Sequence, residues 1–275
     1  MVESSFSIRK PEETSRNFYK RFYESYSLLQ INDIIINNLK DAISKRDKEE
    51  LLRNLDTDGE EVKFSNVCFL GMGIRNPSME LRAKENRGID KSLMETLKGK
   101  GIDSIDWYIR SNEYVQLYAI CEQAIKDYLV INGVDIASIR EGTIINKLFE
   151  KLGSDKKDFL DYTKTYSNEI MRKEDYIRKM WKYFTEIRHL YMHAGGRITD
   201  RFKENMNKLK SNIGKTIEEV EKEMFLEKEV FDIDKLFNFS FEDMSIFEID
   251  SHFLSFFRSF VIILVEGLEN ISNKK

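Results

Sequence analysis

The sequence predicts an all-α protein, and three observations support this prediction. Only two prolines occur in 275 residues, so few positions interrupt a helix. Apolar residues in the long segments recur at three- and four-residue intervals, which is the spacing of one face of an α-helix. Hydrophobic residues make up 41% of the chain, which is enough to bury the core of a helical bundle.

The first hundred residues are expected to contain two helices and a less regular segment. A helix is predicted over about residues 12–39, where Phe18, Phe22 and Tyr26 share a face, and a second follows to about residue 55. KFSNVCFL is apolar enough for a short strand, and the GMGIRNP that follows has the composition of a loop. We therefore expect residues 1–104 to form a helical extension with a polar loop region.

Residues 105–275 are expected to form the main helical domain, either beside the extension or packed with it as one domain. Its first helix runs over about residues 105–131 and carries an apolar stripe. This stripe contains Tyr114, Tyr118, Cys121, Ile125 and Tyr128. A second helix is predicted from about residue 136 to Gly153, and a third from about residue 167 to the Gly195-Gly196 pair.

The remaining C-terminal elements are predicted to be shorter. Helices are expected around residues 199–209 and 216–225. The segments FLEKEVFDID and MSIFEID are short enough to pair as a small β-hairpin. A closing helix is then expected to begin near Asp250 or Ser251, because an aspartate or serine before an apolar run is typical of a helix start.

The composition favours a protein of a reducing, aqueous compartment. Acidic residues exceed basic residues by four, so the overall charge indicates neither a nucleic-acid nor a membrane partner. Cys68 and Cys121 lie among apolar neighbours, as buried thiols do. Residues 253–268 are shorter than the roughly 20 apolar residues of a membrane span and contain Arg258 and Glu266. Because the N-terminus also lacks a secretory signal pattern, we expect a cytoplasmic protein with no membrane partner.

The stretch EIRHLYMHAGGR, residues 186–197, contains two of the three histidines in the chain. At about 100° per residue, the apolar side chains of this helix form one stripe, and Arg188 lies in its middle. A charge on an apolar face requires a partner, a cleft or an interface, because an unpaired buried charge is costly. Arg188 is therefore either paired with a core carboxylate such as Glu122 or a functional residue.

His189 and His193 lie off the apolar stripe. Two interpretations remain open for them: favourable charges at the negative end of a helix, or members of a site. Arg188 and His193 are expected to converge only if the Gly195-Gly196 pair unwinds the last turn or a second chain completes the site.

The segment from Arg188 to His193 resembles the Arg-x4-His motif of the HEPN superfamily. Members of that family commonly carry a polar residue after the arginine and small residues after the histidine, which here are His189 and Ala194-Gly195-Gly196. In both cases the motif ends a long helix and follows an aromatic-rich one. The general organisation resembles the family over about residues 105–271, whereas the specific match is confined to the motif.

The resemblance implies an all-α bundle that forms a homodimer, with two motifs in one cleft, and a metal-independent endoribonuclease that needs no cofactor. His193 would act as general acid/base, because imidazole transfers protons near neutral pH. Arg188 would stabilise the phosphorane, because a guanidinium binds phosphate oxygens in a bidentate manner, and His189 would support it. The implied setting is a toxin with a nucleotidyltransferase-like antitoxin, or antiphage defence.

The local charge is consistent with an RNA partner. Residues 171–210 contain eleven Lys or Arg against five Asp or Glu, so this segment carries a charge of about +6. Arg197 and Lys182 are the residues that we expect to contact RNA, although such cations also commonly coat exposed helix faces. Glu122 and Glu186 are candidate supporting carboxylates behind the site.

Two other functional classes remain open. Glu186, His189 and His193 share a helix face and could hold a divalent metal, but no fourth ligand is evident nearby. The main expectation therefore includes no metal. A HEPN-like domain that binds nucleotides or a partner without cleaving RNA is the second alternative.

Overall fold

The computed structural model describes residues 18–32, 34, 37, 102–137, 139, 141–167, 169–224 and 246–274. Their regular structure is helical, apart from an isolated β-bridge between Arg197 and Ile246, so the all-α prediction is confirmed. The α-helices are α1 (Phe18–Leu29), α2 (Ile102–Ile131), α3 (Ile144–Leu152), α4 (Lys156–Thr165), α5 (Glu174–Ala194), α6 (Asp200–Met224) and α7 (Ser251–Ser272). Short 3-10 turns precede α3, α4 and α5.

The chain divides into two compact units. Residues 1–30 and 110–275 form one, and residues 31–109 form the other. The part of the second unit that the structure describes is helical. The predicted strand in KFSNVCFL, the second N-terminal helix and most of the predicted hairpin lie outside the described residues. All contacts discussed below belong to the first unit.

Helix α2 supplies the centre of the core in the first unit. All five residues of its predicted stripe are at most 1% exposed, as the helical spacing predicted. Its aromatic rings pack on α5 and α7: the ring centroids of Tyr114 and Phe257 are 4.6 Å apart, and those of Tyr118 and Trp181 are 4.8 Å apart. The core is therefore aromatic at the level where α5 carries the predicted site.

Helix α7 begins at Ser251, as predicted. Asp250 is its N-cap, and its Oδ1 accepts a hydrogen bond of 2.7 Å from the backbone N–H of Phe253. Among the described helices, α7 alone is long and apolar enough to cross a membrane, by length and composition. Half of its most apolar window is buried inside the bundle, which is also typical of a core helix.

The charged residues Arg258 and Glu266 of α7 are both engaged by other helices. Arg258 Nε donates to Glu113 Oε1 on α2 at 2.7 Å. Glu266 accepts hydrogen bonds from Tyr23 on α1, at 2.6 Å, and from Tyr162 on α4, at 3.2 Å. Helix α1 therefore packs with the C-terminal helices, although it lies within the segment that the sequence analysis assigned to the N-terminal extension.

Three features of the bundle differ from the helix predictions. Helix α3 begins at Ile144 rather than near residue 136. Residues 200–224 form one helix rather than two, because Leu209, Ile213 and Ile217 continue the buried stripe across the polar segment that contains Gly214. Helix α4 was not predicted, because most of its residues are polar. Its Phe159 and Thr163 are nevertheless buried, and the Phe159 ring packs beside Gly267 of α7.

Candidate active site

Helix α5 carries the predicted motif in its last two turns. Its buried side chains include Ile177, Trp181, Phe184 and Ile187, so the apolar stripe inferred from the sequence faces the core. The α-helix continues regularly through Ala194, one residue beyond His193. The motif is therefore presented on a rigid element.

The two glycines end α5 without unwinding its last turn. Gly195 and Gly196 have φ values of 58° and 80°, and both backbone N–H groups donate to the carbonyl of Leu190. His193 keeps its helical position, so the glycines do not redirect its side chain toward Arg188. Of the two routes by which Arg188 and His193 were expected to converge, unwinding of the last turn does not occur, because left-handed residues after a helix satisfy its last carbonyls and leave the preceding turn intact.

Residues 246 and 247 are held against this helix end. Phe247 N–H donates to the Gly196 carbonyl at 2.8 Å, and the Tyr191 hydroxyl donates to the Phe247 carbonyl. A Cβ on Gly196 would lie 2.9 Å from the Tyr191 ring and 3.4 Å from Ile246. The absence of a side chain at Gly196 thus permits this close contact.

Arg188 is half-buried, and its guanidinium lies over an aromatic ring of α2. The distance from Arg188 Cζ to the Tyr118 ring centroid is 5.6 Å, within the range of a cation–π interaction. Tyr114, one turn earlier on α2, is fully buried, and burial raises the pKa of its phenol well above the ordinary value, although the charge of Arg188 opposes this shift. Arg188 therefore lies over the ring of Tyr118 and interacts electrostatically with the phenol of Tyr114.

The two predicted supporting carboxylates have partners on α2 and α6. Glu122 forms a 2.6 Å ion pair with Lys126, one turn later on α2. Glu186 accepts a 2.9 Å hydrogen bond from Asn205 Nδ2 of α6. Glu186 thus links α5 to α6 through Asn205.

The two histidines of the motif share the outer face of α5. His189 is half-buried and His193 is exposed, and their ring centroids are 5.9 Å apart. Five residues at 100° each separate Arg188 from His193 by about 140° around the helix axis. One chain therefore brings His189 and His193 together but does not bring Arg188 and His193 onto one face.

No group of three or more His, Cys, Asp or Glu side chains that could hold a metal ion occurs within the described residues. The set of Glu186, His189 and His193 therefore does not form a metal cluster, and the metal alternative from the sequence gains no geometric support.

Ion pairs engage several of the local cations. At least five of the eleven cations between residues 171 and 210 pair with acidic side chains. They are Arg172 and Lys173 with Glu223, Arg178 with Glu174, Lys179 with Asp175, and Lys203 with Asp200. Lys182 and Arg197 are exposed and make no ion pair within the described part of the chain.

The sequence analysis did not identify Tyr118 or Thr185 as neighbours of the site. Tyr118 was recognised as a core residue, and its contact with Arg188 depends on the packing of α2 against α5. Comparison with known proteins found no match among protein-family models, curated proteins or solved structures.

Proposed function

We propose that this protein is a metal-independent endoribonuclease of HEPN type that acts as a homodimer. The observation that supports this proposal most strongly is the position of Arg188. Arg188 belongs to the last two turns of the regular helix α5, and its guanidinium lies over the ring of Tyr118 on α2. The exposed His193 follows five residues later on α5. In RNA cleavage by the 2′-hydroxyl, an imidazole can transfer the proton near neutral pH and a guanidinium can bind the phosphate oxygens.

In the proposed reaction, the RNA supplies its own nucleophile. An imidazole of His193 removes the proton of the 2′-hydroxyl, whose oxygen then bonds to the adjacent phosphorus. The bond from phosphorus to the 5′ oxygen breaks, and that oxygen takes a proton from the imidazolium of His193. Arg188 stabilises the charge of the phosphorane, and His189 supports its neighbour. The products carry a 2′,3′-cyclic phosphate and a 5′-hydroxyl, and the reaction needs neither a metal nor a cofactor.

The proposed dimer follows from the separation of about 140° between Arg188 and His193 around α5. In the proposed dimer, a twofold axis relates the two copies and places Arg188 of one chain opposite His193 of the other. Met192, next to His193, is 53% exposed, and such a large exposed apolar side chain is compatible with an interface at this position. Lys182 and Arg197 are the proposed RNA contacts beside the cleft.

The biological setting is proposed from the resemblance alone. We propose that the protein acts in the cytoplasm as a toxin held inactive by a nucleotidyltransferase-like antitoxin, or as an RNA-cleaving effector of antiphage defence. Induction of the wild-type protein is then expected to arrest growth, and Arg188→Ala is expected to relieve the arrest.

A non-catalytic module that binds nucleotides or a partner is the second candidate. The separation of Arg188 from His193 around α5 also favours this non-catalytic module, since a single chain does not place the two side chains on one face. Absence of RNA cleavage in both wild type and variants, with RNA or nucleotide binding retained, would support this second candidate.

The nuclease proposal is tested by incubating RNA with the protein in EDTA. We expect cleavage by the wild type and a loss of at least about 100-fold in Arg188→Ala and His193→Ala, as for removal of a transition-state donor or a general acid/base. Matched controls are Arg172→Ala, in the 3-10 turn that precedes α5, and His252→Ala, at the exposed start of α7. Cleavage that persists in His193→Ala, or that requires a divalent metal, would contradict the proposal.

A further inference from the structure

We propose that Tyr118 is the positioning residue for Arg188, an inference that rests on the proposed nuclease function. Arg188 Cζ lies 5.6 Å from the centroid of the Tyr118 ring, so the face of the guanidinium is held by the ring. Phosphate is bound by the N–H groups at the edge of a guanidinium, whereas an aromatic ring contacts its face. One arginine can therefore use both contacts at once.

The hydroxyl group of Tyr118 anchors the ring to α5. It lies 2.8 Å from Thr185 Oγ1, and Thr185 Oγ1 itself donates to the carbonyl of Trp181 at 2.8 Å. A threonine hydroxyl has one hydrogen, and that hydrogen is used in the bond to Trp181. Tyr118 is therefore the donor to Thr185, three residues before Arg188 on the same helix.

The Tyr118 ring is also held on its sides. It is fully buried, and its centroid lies 4.8 Å from that of Trp181 and 6.5 Å from that of Phe257, to which it is nearly parallel. Helices α5 and α7 thus fix the position of a ring that belongs to α2. Because the Tyr118 ring is fixed in this way, it limits the conformations of the Arg188 side chain. The guanidinium is therefore pre-organised for an incoming phosphate.

The contact can be measured without any assay of activity. A guanidinium over a ring face experiences the ring current, so the Arg188 Hε resonance of the wild type is expected upfield of that of Arg172. The resonance is assigned by its disappearance in Arg188→Lys. Tyr118→Leu should return it to the position of an exposed arginine, whereas Tyr118→Phe, which keeps the ring, should retain the upfield shift.

Cleavage rates then test the positioning role. Tyr118→Leu is expected to lower kcat about tenfold with a smaller change in KM, and Tyr118→Phe to lower it less. Tyr128→Leu is the matched control, because Tyr128 is a buried tyrosine of the same stripe, about 15 Å further along α2. It should change neither the Arg188 resonance nor kcat.

Each result separates the two proposals. An unshifted Arg188 resonance in the wild type overturns the positioning role even if Tyr118→Leu does not fold, and so does an unchanged kcat in a folded Tyr118→Leu. A shifted resonance in a wild type that cleaves no RNA refutes the nuclease proposal instead and leaves the contact between Tyr118 and Arg188 standing.

Discussion

Arg258 of α7 donates through Nε to Oε1 of the fully buried Glu113 of α2, at 2.7 Å. This pair shows one way in which the bundle accommodates an arginine within an apolar helix: a buried carboxylate on the adjacent helix receives it. Arg188 is a second arginine on an apolar helix face, and its guanidinium lies over the ring of Tyr118. We expect Arg258 to contribute to stability and propose Arg188 for the chemistry.

The buried pair predicts a large loss of stability when its carboxylate is removed. Glu113→Ala is expected to lower the free energy of unfolding by about 3–5 kcal/mol, because the charge of the largely buried Arg258 loses the carboxylate that compensates it. The double variant Glu113→Leu/Arg258→Met should lose less than the sum of the single variants. Chemical denaturation measures these values. Glu150→Gln, in the exposed pair with Lys147, is the control and should cost at most about 1 kcal/mol.

Gly196 is predicted to tolerate substitution less well than Gly195. Both have positive φ, which costs a residue with a Cβ about 1–2 kcal/mol, but only at Gly196 would the added Cβ also meet the Tyr191 ring, at 2.9 Å. Thermal unfolding should therefore show a clearly larger decrease in Tm for Gly196→Ala than for Gly195→Ala. Equal decreases would indicate that the contact between Tyr191 and the helix end is unimportant for stability.

Glu174, in the first turn of α5, predicts a pH-dependent contribution to stability. Burial opposes its ionisation, but hydrogen bonds from Lys156, at 2.9 Å, and from Arg178, at 2.7 Å, outweigh burial and lower the pKa of Glu174. Because the folded-state pKa lies below the unfolded value of about 4.3, the contribution is complete above that value and is lost as the pH falls through the folded-state pKa.

Glu174→Gln should therefore be less stable than the wild type at neutral pH. The difference in unfolding free energy should decrease below about pH 4.3, as measured by denaturation at several pH values. A difference that stays constant down to the lowest pH at which both proteins fold would contradict the assigned pKa direction.

The composite site predicts complementation between inactive variants. If Arg188 of one chain works with His193 of the other, a heterodimer of Arg188→Ala and His193→Ala contains one intact site and one site with both changes. Random exchange makes half of the dimers heterodimers, so equimolar mixing should restore about one quarter of the wild-type cleavage rate. The separate variants should remain inactive. Without any recovery after verified subunit exchange, the composite-site proposal would be abandoned.

The proposed RNA contacts predict a change in the salt dependence of binding. In a cleavage-deficient His193→Ala background, Lys182→Gln and Arg197→Gln should each reduce the slope of log binding constant against log salt by about 0.7 for single-stranded RNA. Arg172→Gln is the control, since Arg172 is paired with Glu223. Fluorescence anisotropy over a range of salt concentrations measures the slopes. Equal slopes for all variants would place the RNA elsewhere.

Helical spacing predicted the elements that depend on a regular apolar stripe. The buried face of α2 and the start of α7 at Ser251 are as expected, because both depend on residues close together in sequence. Two helical elements were mispredicted for the same physical reason. Helix α4 and the middle of α6 are largely polar, and single buried residues such as Phe159 and Ile213 gain their stabilising contacts from other helices.

At the candidate site, the sequence by itself determined that an arginine lies on the apolar side of α5 while two histidines lie outside it. This follows from the 3.6-residue helical repeat alone. Only the tertiary structure decided what each side chain contacts: Tyr118 beneath Arg188, Asn205 at Glu186, and Glu113 at Arg258. The physical reason is that helical periodicity specifies direction around one axis, whereas the partners belong to helices whose packing depends on side chains distant in sequence.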